Sequence, residues 1–172
     1  NEEAYEMYQK SSELQSDNPL VNLVLAINTK EEGNIPGALE YYKKVADNED
    51  IGSNYRAEAF TGISVILQSQ GKYKEALEAT TKAIGLDPTY SPAYGINSYN
   101  LLLNDDPSTA MQSAEKAIIL NPRITINYLL AGDIARQTGN YNEALKYYNQ
   151  ASSALSSDNT ILNRWRVNNL KG

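Results

Sequence analysis

The chain has 172 residues, with 15 Lys and Arg against 21 Asp and Glu for a net charge of -6, and it contains no histidine and no cysteine. That balance speaks against a nucleic-acid surface, which needs clustered Lys and Arg; the one local cluster, Arg164 with Arg166, is too small. The missing residue types remove thiol nucleophiles, disulfides, imidazole bases and the usual zinc ligands together, so no metal and no cofactor are expected.

In chain order, residues 2–15 read as one helix with Ala4, Tyr8, Ser11 and Leu14 at positions that recur downstream. It has no partner before it and Asn1 is no natural start, so a piece of a longer protein, with repeats upstream, is expected. The next helix spans 19–32 and ends at Gly33; Asn34 caps the one after, whose Pro36 sits in the first turn, where a missing N–H costs nothing. The longest apolar run, residues 20–27, is interrupted by Asn22 and falls short of the roughly 18–20 residues that span a bilayer; no signal peptide is visible. From 47 to 56 the stretch DNEDIGSNYR carries four residues beyond the regular period and is rich in turn formers, which predicts a protruding, solvated loop. Its acidic run lacks the spacing and terminal glutamate of a calcium loop.

Residues 71–88, GKYKEALEATTKAIGLDP, show the underlying unit most fully. Ala76, Leu77, Thr80, Ala83 and Ile84 form an i, i+3, i+4, i+7 stripe, while Lys74, Glu75, Glu78 and Lys82 fall largely on the wet side. Asp87 and Pro88 stop the helix, because proline cannot continue the hydrogen-bond ladder. Ala4, Ala38, Ala76, Ala110 and Ala144 form one equivalent set, and 34 positions separate Ala76 from Ala110 and Ala110 from Ala144. A unit of this length holds two antiparallel helices, and one such pair buries its apolar face only when a neighbouring pair covers it. Downstream, Asp106 stands as a cap ahead of Pro107, and residues 159–170 form one more helix with Leu162 and Trp165 on its inner side, the expected end cap. The paired carboxylates Glu2 with Glu3, Glu31 with Glu32 and Asp105 with Asp106 all sit at helix ends or turns, which accounts for them without acid–base chemistry. No enzyme is expected.

Residues 57–90 carry Phe60, Ile63, Ser64, Leu67, Gly71, Tyr73, Ala76, Ala83 and Pro88; residues 91–124 carry Tyr94, Ser98, Leu101, Ala110, Ala117 and Pro122. Residues 125–158 carry Tyr128, Ala131, Gly132, Gly139, Tyr141, Ala144, Tyr148 and Ala151, and 19–52 keep Leu25, Ala26, Gly33, Ala38 and Tyr42. On these residues the chain resembles the tetratricopeptide repeat family over nearly its whole length. Asn22 replaces the usual aromatic, Asn97 the usual leucine and Pro107 the usual tyrosine. The resemblance implies an all-α, right-handed α-solenoid of helix-turn-helix repeats forming a single domain over 1–172. Its parts are a half repeat at 1–18, repeats at 19–56 (with the loop insertion), 57–90, 91–124 and 125–158, and a capping helix at 159–172. It also implies a non-catalytic protein–protein interaction scaffold whose concave groove is built mainly by the first helix of each repeat. The alternatives are a self-assembly module or an accessory domain of a larger protein. The family's chaperone-tail binders hold a carboxylate with lysine, asparagine and arginine at places filled here by Leu23, Ile27, Ile96, Ile126 and Leu130, so no binding of acidic chaperone tails is expected.

Projecting each first helix puts Leu20, Leu23, Val24 and Ile27, then Thr61 and Val65, on the groove stripe. Ile96, Tyr99, Leu102 and Leu103 follow, then Ile126, Leu129, Leu130, Asp133 and Arg136. The stripe is mostly apolar, which marks a binding surface. Gly62 and Gly95 leave room beside it, and Tyr99 is the central anchor, whereas Tyr8, Tyr42, Tyr73, Tyr94, Tyr128, Tyr141 and Tyr148 pack one helix on another. The expected partner is an apolar helix or extended peptide of a protein, neutral to basic, with no nucleic acid and no membrane insertion. Self-association through the solenoid ends is the competing use.

Overall fold

A computed structural model describes residues 18–157. Among them are eight helices and no strand: α1 Pro19–Glu31, α2 Ile35–Ala46, α3 Ser53–Ser69, α4 Tyr73–Leu86, α5 Ser91–Leu103, α6 Pro107–Leu120, α7 Thr125–Gln137 and α8 Tyr141–Ser157. The half repeat with Ala4 and Tyr8, and the end cap with Leu162 and Trp165, lie outside the described residues. Consecutive helices pair as α1 with α2, α3 with α4, α5 with α6 and α7 with α8. The chain falls into two compact units, dividing after Pro88. A repeat that touches only its neighbours builds no core common to all four.

One turn is repeated four times. Gly33, Gly71, Asp105 and Gly139 adopt φ of 84°, 74°, 59° and 79°, and 34 positions separate Gly71 from Asp105 and Asp105 from Gly139. At each, an amide just past the turn donates back five residues: Asn34 to Thr29 at 3.0 Å, Lys72 to Leu67 at 3.0 Å, Asp106 to Leu101 at 3.0 Å and Asn140 to Ala135 at 2.8 Å. This left-handed closure satisfies the orphan carbonyls of the first helix and reverses the chain into the second. Asp105 holds the geometry with a Cβ, which aspartate tolerates better than most residues. Asn18, Asn34 and Asp106 cap the helices that follow them, accepting from Leu20 N at 3.0 Å, Gly37 N at 3.1 Å and Thr109 N at 3.1 Å. Pro107 is thereby placed at the first helical position, which explains why it stands where tyrosine is usual.

The recurring alanines are the contact points: Ala38, Ala76, Ala110 and Ala144 are all buried. In the first unit Leu23, Ala26, Ala38, Tyr42, Val45, Ala46, Ala59 and Ile66 form one core, and the Ser64 hydroxyl donates to Ala76 O at 2.8 Å across the α3–α4 contact. In the second, Leu129, Ala135, Ala144, Tyr148 and Ala151 form the core. Asn97, set where leucine is usual, is buried and accepts from the Ser113 hydroxyl at 2.9 Å, so a hydrogen bond across α5 and α6 takes the place of apolar packing.

The four extra residues do not form a protruding loop. Residues 47–52 make a short connection, and α3 starts at Ser53 and runs 17 residues where α1, α5 and α7 run 13. The excess becomes one more helical turn, because Tyr55 and Ile51 pack on the core and Arg56 Nε donates to Ala46 O at 3.1 Å, tying the turn down.

Candidate functional site

The side of α5 and α7 that α6 and α8 leave uncovered carries the clearest apolar surface. Tyr99 is 39% exposed and Ile126 45% exposed, while Ile96, Leu102, Leu103 and Leu130 are half-buried around them. Leu129, projected onto the same stripe, is only 3% exposed and belongs to the core. The stripe ends on charge, with Asp133 half-buried and Arg136 exposed. The Tyr148 hydroxyl reaches across from α8 and donates to Asp133 Oδ1 at 2.8 Å, and Arg136 Nε lies 3.7 Å from the same oxygen. Burial first, and the Asp133 carboxylate second, push the Tyr148 phenol up, so it stays a neutral donor.

The first unit follows the same plan with a different surface. Leu20 is 56% and Ile27 38% exposed on α1, and Val24 and Val65 are half-buried. Leu23 and Thr61 are buried: Leu23 sits in the core, and the Thr61 hydroxyl donates to Ala57 O at 2.8 Å within its own helix. Leu23, Thr61 and Leu129 are therefore corrections to the projected groove. They occupy equivalent positions, and the side-by-side packing of α1 with α3 and of α5 with α7 covers that edge of each helix. Glu58 is held above the ordinary carboxylate range by burial, and the Tyr42 hydroxyl is pushed up to about 12 by burial and then by Glu58 and Glu31. This face is acidic beside its apolar residues.

The room expected at two glycines is taken by the chain itself. A Cβ on Gly62 would stand 2.4 Å from Tyr42 Cε1, and one on Gly95 would stand 2.6 Å from Asn127 Oδ1. Each glycine removes a side chain so that a neighbour's can cross the helix backbone. Gly132 does the same for Tyr148, with 2.4 Å to Cε1, and this crossing is what delivers the Tyr148 hydroxyl to Asp133.

The family model for the tetratricopeptide repeat matches residues 57–90 and 126–154, the second and fourth described helix pairs. The chain carries tetratricopeptide repeats over those residues. Its first and third repeats, with the departures at Asn22, Asn97 and Pro107, form the same helix-turn-helix. Anaphase-promoting complex subunit 3 of Schizosaccharomyces pombe is 25% identical over 108 residues, which are 63% of this chain and 16% of that protein. The chain thus spans a small part of that curated relative's length. Among solved structures, the tetratricopeptide repeat protein TTC0263 of Thermus thermophilus superposes with a TM-score of 0.75 at 19% identity, covering 97% of this chain and 88% of that one. PilF of Pseudomonas aeruginosa superposes with a TM-score of 0.74 at 22% identity, covering 89% and 68%. The fold is an all-α repeat solenoid, and tetratricopeptide repeats serve generally as protein–protein interaction scaffolds.

Two surfaces were not anticipated from the sequence. Ile119 on α6 is 74% exposed, and a cleft of about 650 Å³ lies between Pro122, Tyr128 and the outer side of α8 at Leu145, Asn149 and Ser153. The Tyr148–Asp133 pair was also missed. Its only signal was a glycine at 132 facing a tyrosine one helix on, and spacing does not say which backbone a ring crosses. Among the described residues no three His, Cys, Asp or Glu side chains converge as a metal site, and no helix is long and apolar enough to cross a membrane.

Proposed function

We propose that this tetratricopeptide array is a non-catalytic scaffold that seats an apolar helix or extended peptide of a partner protein on the inner face of α5 and α7. The observation that carries this is that Tyr99 and Ile126 stay exposed while Ala38, Ala76, Ala110 and Ala144, which hold the helix pairs together, are buried. An exposed aromatic flanked by half-buried aliphatics is the usual composition of an interface centre, and an amphipathic tyrosine suits its anchor. On the first unit, Leu20, Val24 and Ile27 beside Glu31 and Glu58 favour an apolar segment carrying basic residues.

The test is to display a randomised peptide library on phage and select it on the wild-type chain, on Tyr99→Ser with Ile126→Ser, and on Ile119→Ser as a control off the groove. Peptides rich in aliphatic residues that bind wild type and Ile119→Ser but lose the double variant are expected, with all three chains equally helical by circular dichroism. Selected peptides that bind the double variant as well as wild type would remove this face from consideration. Light scattering over a concentration series separates peptide binding from self-association: a mass that grows with concentration and falls on Leu145→Ser would favour the solenoid-end reading.

A further inference from the structure

The geometry points to a specificity element within that face: Asp133 and Arg136, positioned by Tyr148, form a donor–acceptor pair that receives the side-chain carboxamide of an Asn or Gln on the bound peptide. This inference rests on the proposed peptide-binding reading and names the polar residue such a peptide carries. Three features support it. First, both neighbours engage one oxygen of Asp133: the Tyr148 hydroxyl donates to Oδ1 at 2.8 Å and Arg136 Nε lies 3.7 Å from that same Oδ1. Neither contact uses Oδ2, so the carboxylate keeps an acceptor to offer while its orientation is held from the other side.

Second, the holding contact is built into the backbone. Gly132 lets the Tyr148 ring lie against α7, and Tyr148 is itself buried, so the hydroxyl that orients Asp133 is fixed by core packing rather than by a mobile surface chain. The Arg136 side chain is 56% exposed and offers donors beside that acceptor. Third, the pair is neutral overall. A ligand carboxylate would meet Arg136 favourably and Asp133 unfavourably, and an ammonium the reverse, whereas a carboxamide presents an oxygen to the guanidinium and an N–H to the carboxylate at once. The neighbouring inner surface at Ile126 and Leu130 is apolar, so a carboxamide here marks the register of an otherwise apolar segment. Covering this pair without such a partner would take the remaining guanidinium N–H groups out of water with no acceptor in return.

The experiment is the same phage selection, with Asp133→Asn and Arg136→Met added and the sequences of the selected peptides read by position. Wild type is expected to select Asn or Gln at one fixed spacing from the aliphatic residues that depend on Tyr99 and Ile126. In Asp133→Asn the oxygen still accepts from Tyr148, which places the new NH₂ where Oδ2 was; two donors then face the ligand, and selection shifts to Asp or Glu. Arg136→Met, at an exposed position where folding is not at stake, leaves the acceptor alone and shifts selection to Lys or Arg. Replacing the carboxamide in the best peptide by Leu should weaken binding to wild type about tenfold, the size of one or two hydrogen bonds lost against a charged partner. Selection that depends on Tyr99 and Ile126 but shows no Asn or Gln preference, or a preference that neither variant moves, overturns this inference and leaves the groove standing. Absence of any selection dependent on Tyr99 and Ile126 overturns both.

Discussion

Gly132→Ala and Gly85→Ala replace helical glycines with the best helix former, yet the structure gives them opposite signs. A Cβ at Gly85 meets nothing within 4 Å, so the change there acts only through backbone entropy and helix propensity and stabilises by up to about 1 kcal/mol. At Gly132 the new Cβ would stand 2.4 Å from Tyr148 Cε1 and 2.7 Å from Cδ1. Carbon atoms settle about 3.5–4.0 Å apart, so the ring must retreat by about 1 Å within a packed core. Overpacking of this kind costs about 1–3 kcal/mol, and withdrawing the hydroxyl from its 2.8 Å bond to Asp133 adds about 0.5–1.5 kcal/mol. Alanine's propensity returns about 1 kcal/mol, leaving Gly132→Ala destabilised by about 2 kcal/mol. Urea unfolding followed by circular dichroism measures both variants, and Tyr148→Leu supplies the control: in that background Gly132→Ala should cost nothing. A Gly132→Ala midpoint equal to or above that of Gly85→Ala would refute the reasoning, as would a loss that persists without the Tyr148 ring.

Two further predictions follow from single positions. Asp105→Gly should raise stability by about 0.5–1 kcal/mol, because it relieves the one non-glycine residue at positive φ, among the described residues, in a turn that Gly33, Gly71 and Gly139 make without strain; an unchanged or lowered urea midpoint would contradict this. Burial raises the folded-state pKa of Glu58, so its favourable contribution is full below the ordinary carboxylate pKa of about 4.3 and is lost as pH rises through the raised value. Glu58→Gln should therefore gain on wild type between about pH 4 and pH 7, and a difference between the two urea midpoints that stays flat across that range would show that the carboxyl is not desolvated.

The helices, their caps and the repeating alanines were legible in the sequence because they rest on local rules. An i to i+4 ladder, an Asn or Asp cap ahead of proline, and a glycine at the helix end are each set by a few consecutive residues, and Asp105 stands 34 positions from both Gly71 and Gly139. The apolar identity of the inner stripe was legible for the same reason, since helical projection says which residues share a face. How wide that stripe is was not. Leu23, Thr61 and Leu129 project onto it yet are buried, because the neighbouring first helix within each unit covers one edge, and projection of a single helix contains no neighbour. The same limit turned Gly62 and Gly95 from apparent space into filled contacts and sent the four extra residues into α3 rather than a loop. Whether a residue serves the core or a partner depends on which distant side chain crosses its backbone. That is decided by packing between residues on different helices, such as Gly62 with Tyr42 and Gly95 with Asn127, and no local pattern encodes it.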